Sequence, residues 1–284
     1  MHDLFCGGNR SVALSFRALT KKFYAPLLRY LAGVCVLLAI WQIIAVSVLL
    51  VRDVPFPGPL QTFSRLGELL AGAGLANQPF LRHLGHSLGR WLSGVGIAAS
   101  LGLTHGLLAA RWPLFDAATS LVPRLFLFVP GLAWVPVAIL LFGVSEASTV
   151  FMIAAAAFGP MAVAVSAGIR SVDAGLARAG RMLGAEGTVL FCTVLVPAAL
   201  PQIISGLRLG CGTGWRVLVA AEMVVGTGTG LGYAIIQSRW SLDYRSAFAC
   251  VAVICLVGFA VDRLVLGRIE AATVRRWSLA AEVR

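Results

Sequence analysis

Charge is what this sequence has least of. Only 12% of its side chains are charged, about half the usual share, while 59% are hydrophobic. Too few charged groups remain to cover a soluble globule of 284 residues, so a soluble enzyme is excluded. Lysine is nearly missing: Lys21 and Lys22 are the only two, and neither follows a glycine. No G-x-x-x-x-G-K-[ST] phosphate-binding loop can be written. The arginines are scattered or flank apolar runs, so the net charge of +11 is a topology signal rather than a nucleic-acid footprint. The six cysteines (Cys6, Cys35, Cys192, Cys211, Cys250, Cys255) form no CxxC and have no histidine at zinc-finger spacing. They are expected to be small core residues. The 12 acidic residues are mostly in loops, and no Ser/His/Asp or paired-carboxylate arrangement can be assembled from them. His83 and His86, at i and i+3, lack a third ligand and read as a polar interfacial face. His105, inside an apolar stretch, reads as a buried polar contact.

What is present instead is long apolar runs. A bilayer core of about 30 Å takes roughly 20 helical residues. Four runs meet this length, 30–51, 91–110, 125–145 and 147–169, and the last two meet in a tight hairpin at 143–148. A fifth, 199–225, carries Arg208, Arg216 and Glu222; a sixth, 246–261, is short, with Asp262 and Arg263 expected to snorkel at its end. The first run is too long for a signal-peptide core and has no A-x-A site, so it reads as an uncleaved span. Six spans put both termini on one side, and the loops give that side 15 basic residues against 6. The positive-inside rule makes it the cytoplasm. The expected fold is all-α integral membrane, six transmembrane helices, both termini cytoplasmic. It divides into a cytoplasmic segment 1–29, a first span 30–51, an external loop 52–90 with an interfacial amphipathic stretch 60–75, and a five-span core 91–268. The core contains a cytoplasmic loop 170–200 and is followed by a tail 269–284.

Small residues recur every fourth position in two spans: Gly94, Ala98, Gly102 and Gly106, then Gly206, Gly210 and Gly214. Such stripes let helices approach closely where water no longer drives association, which places both spans in the bundle interior. Pro123, Pro130 and Pro136 interrupt the third span. Irregular backbone at membrane depth is tolerated where it is buried in protein or lines a cavity, so this span is either a pathway wall or merely kinked. The glycine-rich run 226–230 follows a span with no strand before it and reads as a flexible external turn, not a nucleotide loop. Arg124, Arg216 and Glu222 lie near membrane depth, where charge is costly. Arg216 and Glu222 are about 600° apart around one helix and are not a self-satisfied pair. Two readings stand: Arg216 faces a translocation path and favours anions while Glu222 ties the external gate region, or both serve inter-helix contacts.

The most specific segment is Arg178-Ala179-Gly180-Arg181-Met182-Leu183-Gly184, then nine residues, then Val194-Leu195-Val196-Pro197. It resembles the E-A-A-x-x-x-G-x9-I-x-L-P loop of the membrane subunits of binding-protein-dependent ABC importers, with Arg178 in place of Glu and Gly180 in place of Ala. Gly184 is expected just past a helix end in a left-handed conformation. The runs 127–136, with Leu141-Phe142-Gly143, and Trp215-Arg216-Val217-Leu218-Val219-Ala220-Ala221-Glu222-Met223, with Gly230-Leu231-Gly232-Tyr233, are similar to the nitrate/sulfonate/taurine/bicarbonate branch. So is Gly168-Ile169-Arg170-Ser171-Val172-Asp173.

The resemblance implies a type I importer of the bacterial inner membrane: two such permeases, two cytoplasmic ATPases and an external solute-binding protein. Arg178, Ala179, Gly180, Gly184, Val194 and Pro197 would couple to the ATPase. Pro130, Pro136, Trp215, Arg216 and Glu222 would line or gate the path of a small anion. ATP and magnesium would be used by the partner, with no cofactor in this chain. The rivals are a free-standing channel or secondary transporter, which would need inverted repeats or paired intramembrane carboxylates, and an intramembrane enzyme built on His105 with a nearby acid.

Overall fold

The computed structural model describes residues 31–268; the segment 1–29 and the tail 269–284 lie outside the described residues. The chain divides into two compact units between Ser64 and Arg65. In the first, helix α1 (Leu31–Arg52) is apolar throughout and mostly exposed, as a helix facing lipid must be. A proline-rich turn follows it, and Trp41 Nε1 donates to the Pro57 carbonyl at 3.1 Å. Helix α2 (Pro59–Leu70) begins on a proline and is amphipathic.

The boundary falls within α2, so the second unit begins with its last turns from Arg65 and then forms a hairpin of two-residue strands, Gly74–Leu75 against Gln78–Pro79. It continues through α3 (Phe80–Arg111), α4 (Pro113–Thr119), α5 (Leu121–Phe128), a 3-10 turn (Gly131–Trp134) and α6 (Val135–Phe142). Next come α7 (Glu146–Arg170), α8 (Ala174–Met182), α9 (Gly187–Leu190), α10 (Val196–Val225), α11 (Leu231–Trp240) and α12 (Tyr244–Ala260). Among the described residues, five helices are long and apolar enough to cross a membrane, and a sixth crossing exists if the pair Pro113–Phe128 and Gly131–Phe142, bent by 107°, counts as one span.

Helix α7 is the centre of this unit. Its Ala154-Ala155-Ala156-Ala157 run and Met152, Ile153, Met161, Ala162 and Val165 are buried. The two glycine stripes explain why. A Cβ on Gly94 would strike Ile153, one on Gly102 would lie 2.9 Å from Met161 Cβ, and one on Gly106 would strike Val165. From α10, Gly206 abuts Ala164, Gly210 abuts Met161 and Gly214 abuts Ile153 and Val95. Thus α3 and α10 lie side by side against α7, sharing Ile153 and Met161 and touching each other, with dispersion contacts in place of the hydrophobic effect. Trp91 and Trp215 close the contact edge to face at 5.8 Å.

Several boundaries depart from the sequence expectation. Helix α3 starts at Phe80 rather than at residue 91, so the last part of the expected external loop is helical. The third span is not continuous over 125–145: it breaks at Val129 and Pro130, where the fixed proline φ and missing N–H end α5. The fifth helix runs back to Gly187 through a π turn (Phe191–Leu195), closed by the Val196 N–H on the Phe191 carbonyl just before Pro197. Asp262, at the end of the last span, accepts the Arg208 guanidinium on both oxygens, at 2.7 and 2.8 Å. Of the five described cysteines, Cys211 and Cys250 are core residues as expected, whereas Cys35, Cys192 and Cys255 face outward.

Candidate functional site

Three arrangements carry chemistry. At one end of the unit, His83, Ser87 and Arg90 project from one face of α3, at i, i+4 and i+7. Glu222 of α10 lies opposite them. Arg90 Nη1 donates to Glu222 Oε1 at 2.8 Å, and Ser87 Oγ donates to the same carboxylate. Gly232 N–H completes its shell at 2.9 Å. Arg90 also donates to the Thr229 carbonyl and hydroxyl and to Glu146 Oε1. Leu231 N–H donates to Ser87 Oγ, and Gly230 N–H to His83 Nδ1, whose Nε2 reaches the Leu75 carbonyl. Glu222 is fully buried and Arg90 is 3% exposed. So an ion pair and the amides that open α11 share one cluster, with the Gly232 N–H on the carboxylate and those of Gly230 and Leu231 on the His83 and Ser87 side chains beside it.

The run 226–230 is consequently not a loose turn. Gly226 ends α10 in the left-handed region at φ +64°, and Gly230, at φ +118°, leaves no room for a Cβ beside the Glu222 carboxylate. The two imidazoles are spoken for as well, His83 as above and His86 by Glu146 at 3.3 Å. Among the described residues no group of three metal-ligating side chains occurs.

The second arrangement is the outward face of α10. Gln202, Ser205, Leu209, Gly212 and Arg216 are exposed at helical spacing, and Thr213 beside them holds Arg216 at 3.3 Å. Lipid tails cannot satisfy such groups, so this face meets water or protein. The broken third span lies against it: a Cβ on Gly131 would run into the Val217 side chain. Pro130, Pro136 and Arg216 are therefore exposed around one break. Trp215 is not among them. It is buried, donates to the Ile254 carbonyl at 3.2 Å and packs on Gly258, which makes it core rather than path lining. Glu222 is likewise sealed in its cluster.

The third arrangement is a knob at the opposite end. Asp173 caps α8 by accepting from Gly175 and Leu176 N–H. At the other end Gly184 N–H donates to Arg181 O at 2.9 Å and Ala185 N–H to Gly180 O at 3.0 Å, with Gly184 at φ +84°. These two bonds are a Schellman closure. Gly180 is buried, and a Cβ there would sit 2.8 Å from Leu190 and 3.2 Å from Val194, so the glycine lets α8 close on the following helix. Arg178, Ala179 and Gly184 are exposed, and Pro197 stands in the first turn of α10. Met182 and Leu183 stand out at the tip, 88% and 89% exposed.

Sequence reasoning missed Arg90, Ser87 and Thr229. Their signal was present, since His83, Ser87 and Arg90 share a helical face, but a polar buried face lowers hydropathy and made the segment look like loop.

A multi-pass helical bundle with glycine-packed spans, a broken third span and a capped knob between two of its helices defines a membrane permease. Residues 102–268 match the family described as binding-protein-dependent transport system inner membrane component, and the chain belongs to that family. It is 32% identical to the taurine transport system permease protein of Escherichia coli (strain K12), over 80% of this chain and 82% of that protein. It is 35% identical to the putative aliphatic sulfonates transport permease protein of Bacillus subtilis (strain 168), over 81% of each. Its fold resembles a chain of the MetNI methionine ABC transporter in an inward-facing form, at TM-score 0.58 and 18% identity, covering 68% of this chain and 95% of that one. The protein is thus a permease subunit of a type I importer and not an enzyme, and membership of a multi-component system sets aside the free-standing transporter.

Proposed function

We propose that the chain is half of the channel of an ATP-driven importer in the bacterial inner membrane, and that the knob from Arg178 to Pro197 is where the ATPase grips it. The observation that carries this reading is the knob tip. Two large apolar side chains, Met182 and Leu183, stand almost wholly exposed on a turn held rigid by a Schellman closure, and exposed apolar groups on a rigid element need a partner. The knob end is the cytoplasmic end. ATP and magnesium act in the partner, and an external binding protein delivers the solute at the Glu222 end. The polar outward face of α10 meets a second permease, identical or paired, across a wet path. The solute is a small anion of the sulfonate, taurine, nitrate or bicarbonate kind, in keeping with what the taurine and sulfonate relatives are named for and with Arg216 on that face.

The test is co-purification in mild detergent of wild type, Met182→Glu and Gly184→Trp. Met182→Glu changes only an exposed tip side chain, whereas Gly184→Trp has open space but places a side chain at φ +84° and so strains the turn itself. A nucleotide-binding ATPase should come down with wild type and be lost from both variants at equal membrane yield. Its retention in both would overturn the docking assignment.

A further inference from the structure

A cavity of about 410 Å³ opens at the knob end of the bundle, between the C-terminal turns of α3 and α7 and the α4–α5 junction. Its polar wall is made by His105, Asp116, Ser120, Arg124, Ser166 and Arg170. Arg170 is occupied: it donates to Asp116 at 2.8 Å and to the Ala109 carbonyl at 2.9 Å. Two arginines against one aspartate leave one positive charge over, and it is that of Arg124. Among the described residues no hydrogen-bond acceptor or carboxylate meets Arg124, and none meets the Ser120 hydroxyl. Ser120 and Arg124, four residues apart across a helix start, share a face. A guanidinium and a hydroxyl side by side in a polar recess are the donor set of an oxyanion site.

His105 narrows the ligand. Thr119 Oγ1 spends its proton on the Phe115 carbonyl at 2.7 Å, so it accepts from His105 Nε2 at 3.1 Å. The neutral ring therefore carries its hydrogen on Nε2, and Nδ1 is a buried acceptor without a partner. An unpaired buried acceptor favours a ligand that brings a hydroxyl hydrogen.

We infer that this cavity binds a singly charged oxyanion bearing a hydroxyl group, with Arg124 and Ser120 on the anionic oxygens and His105 beside the hydroxyl. Dihydrogen phosphate and the phosphoglycerol headgroup of a lipid at that membrane face share this chemistry, and a cavity more than ten times the roughly 30 Å³ of a water holds either. The inference does not rest on the docking reading: it needs no ATPase and no assignment of sides.

The test uses the purified full chain with whatever partners it retains. Native mass spectrometry compares phosphatidylglycerol with phosphatidylcholine. In parallel, inorganic phosphate is titrated against ¹⁵N-histidine protein, with the His105 ring assigned by its loss in His105→Phe. Either one phosphatidylglycerol per chain is retained in preference to phosphatidylcholine, or phosphate moves the His105 resonance saturably. In each case Arg124→Gln should weaken binding about tenfold or more, and Ser120→Ala, which removes no charge, by a smaller factor. Arg82→Gln, bonded to Gln78 at the far end of α3, should change nothing. Lipid retention alone assigns the headgroup and a phosphate response alone assigns the free anion. Failure of both in wild type, or equal binding by Arg124→Gln and Ser120→Ala, overturns the site.

Discussion

Arg90 is the residue on which one end of the permease depends. Its two terminal nitrogens serve Glu222, Glu146 and both polar groups of Thr229, joining α3, α7, α10 and the turn before α11. Glu146 is largely exposed, so that bond is screened and contributes little. The Glu222 bond is fully desolvated, and there the cost of removal is the charge left behind. Arg90→Ala should lower stability by about 3–5 kcal/mol, read as a fall in thermal unfolding temperature in detergent. Glu146→Gln should move it by less than about 1 kcal/mol. Equal effects would show that the cluster is not organised around the buried pair. At this scale the sequence was half legible. A lone carboxylate at membrane depth announced Glu222, but its partner is 132 residues away, and no local spacing encodes that distance.

Among the elements, the glycine stripes were the most legible feature, because close approach leaves only one kind of side chain possible and that kind recurs with the helical period. Gly102→Leu should drive a side chain into Met161 and cost about 1–3 kcal/mol or more, seen as lost monodispersity in size-exclusion chromatography. Gly96→Leu, on the same helix with nothing within 4 Å, should be silent. Element ends were less legible. Hydropathy cannot see the start of α3, whose buried face is polar, nor the π turn that lets a helix run through Pro197. The break at Val129 and Pro130 was flagged by its prolines, yet prolines do not state an angle, and neither the 107° bend nor the close approach of Gly131 to Val217 is written in local spacing. The Schellman turn at Gly184 was foreseeable, since a glycine past a helix end has one usual use.

For the whole molecule, the path proposed above runs along the exposed face of α10. Arg216 is the only cation on that face within the span, held lightly by Thr213. Arg216→Gln should reduce uptake of a sulfonate or similar anion in reconstituted vesicles by about tenfold or more, with ATPase co-purification and thermal stability unchanged. Unaltered uptake would remove Arg216 from the path. The partners and the solute were not legible in composition or spacing. They came through resemblance, because one chain of an assembly carries only its own contact surfaces.

From Gly187 beside the knob to Val225 beside the Arg90 cluster, 39 residues run as one helical rod, roughly 60 Å long. Its middle is seated on α7 through Gly206, Gly210 and Gly214 and is tied to its neighbours by Trp91 at the Cys211 carbonyl and by Asp262 at Arg208. A rod gripped in this way carries displacement along its own length. Whatever shifts its Gly187 end bears on the end that holds Glu222, along one continuous backbone.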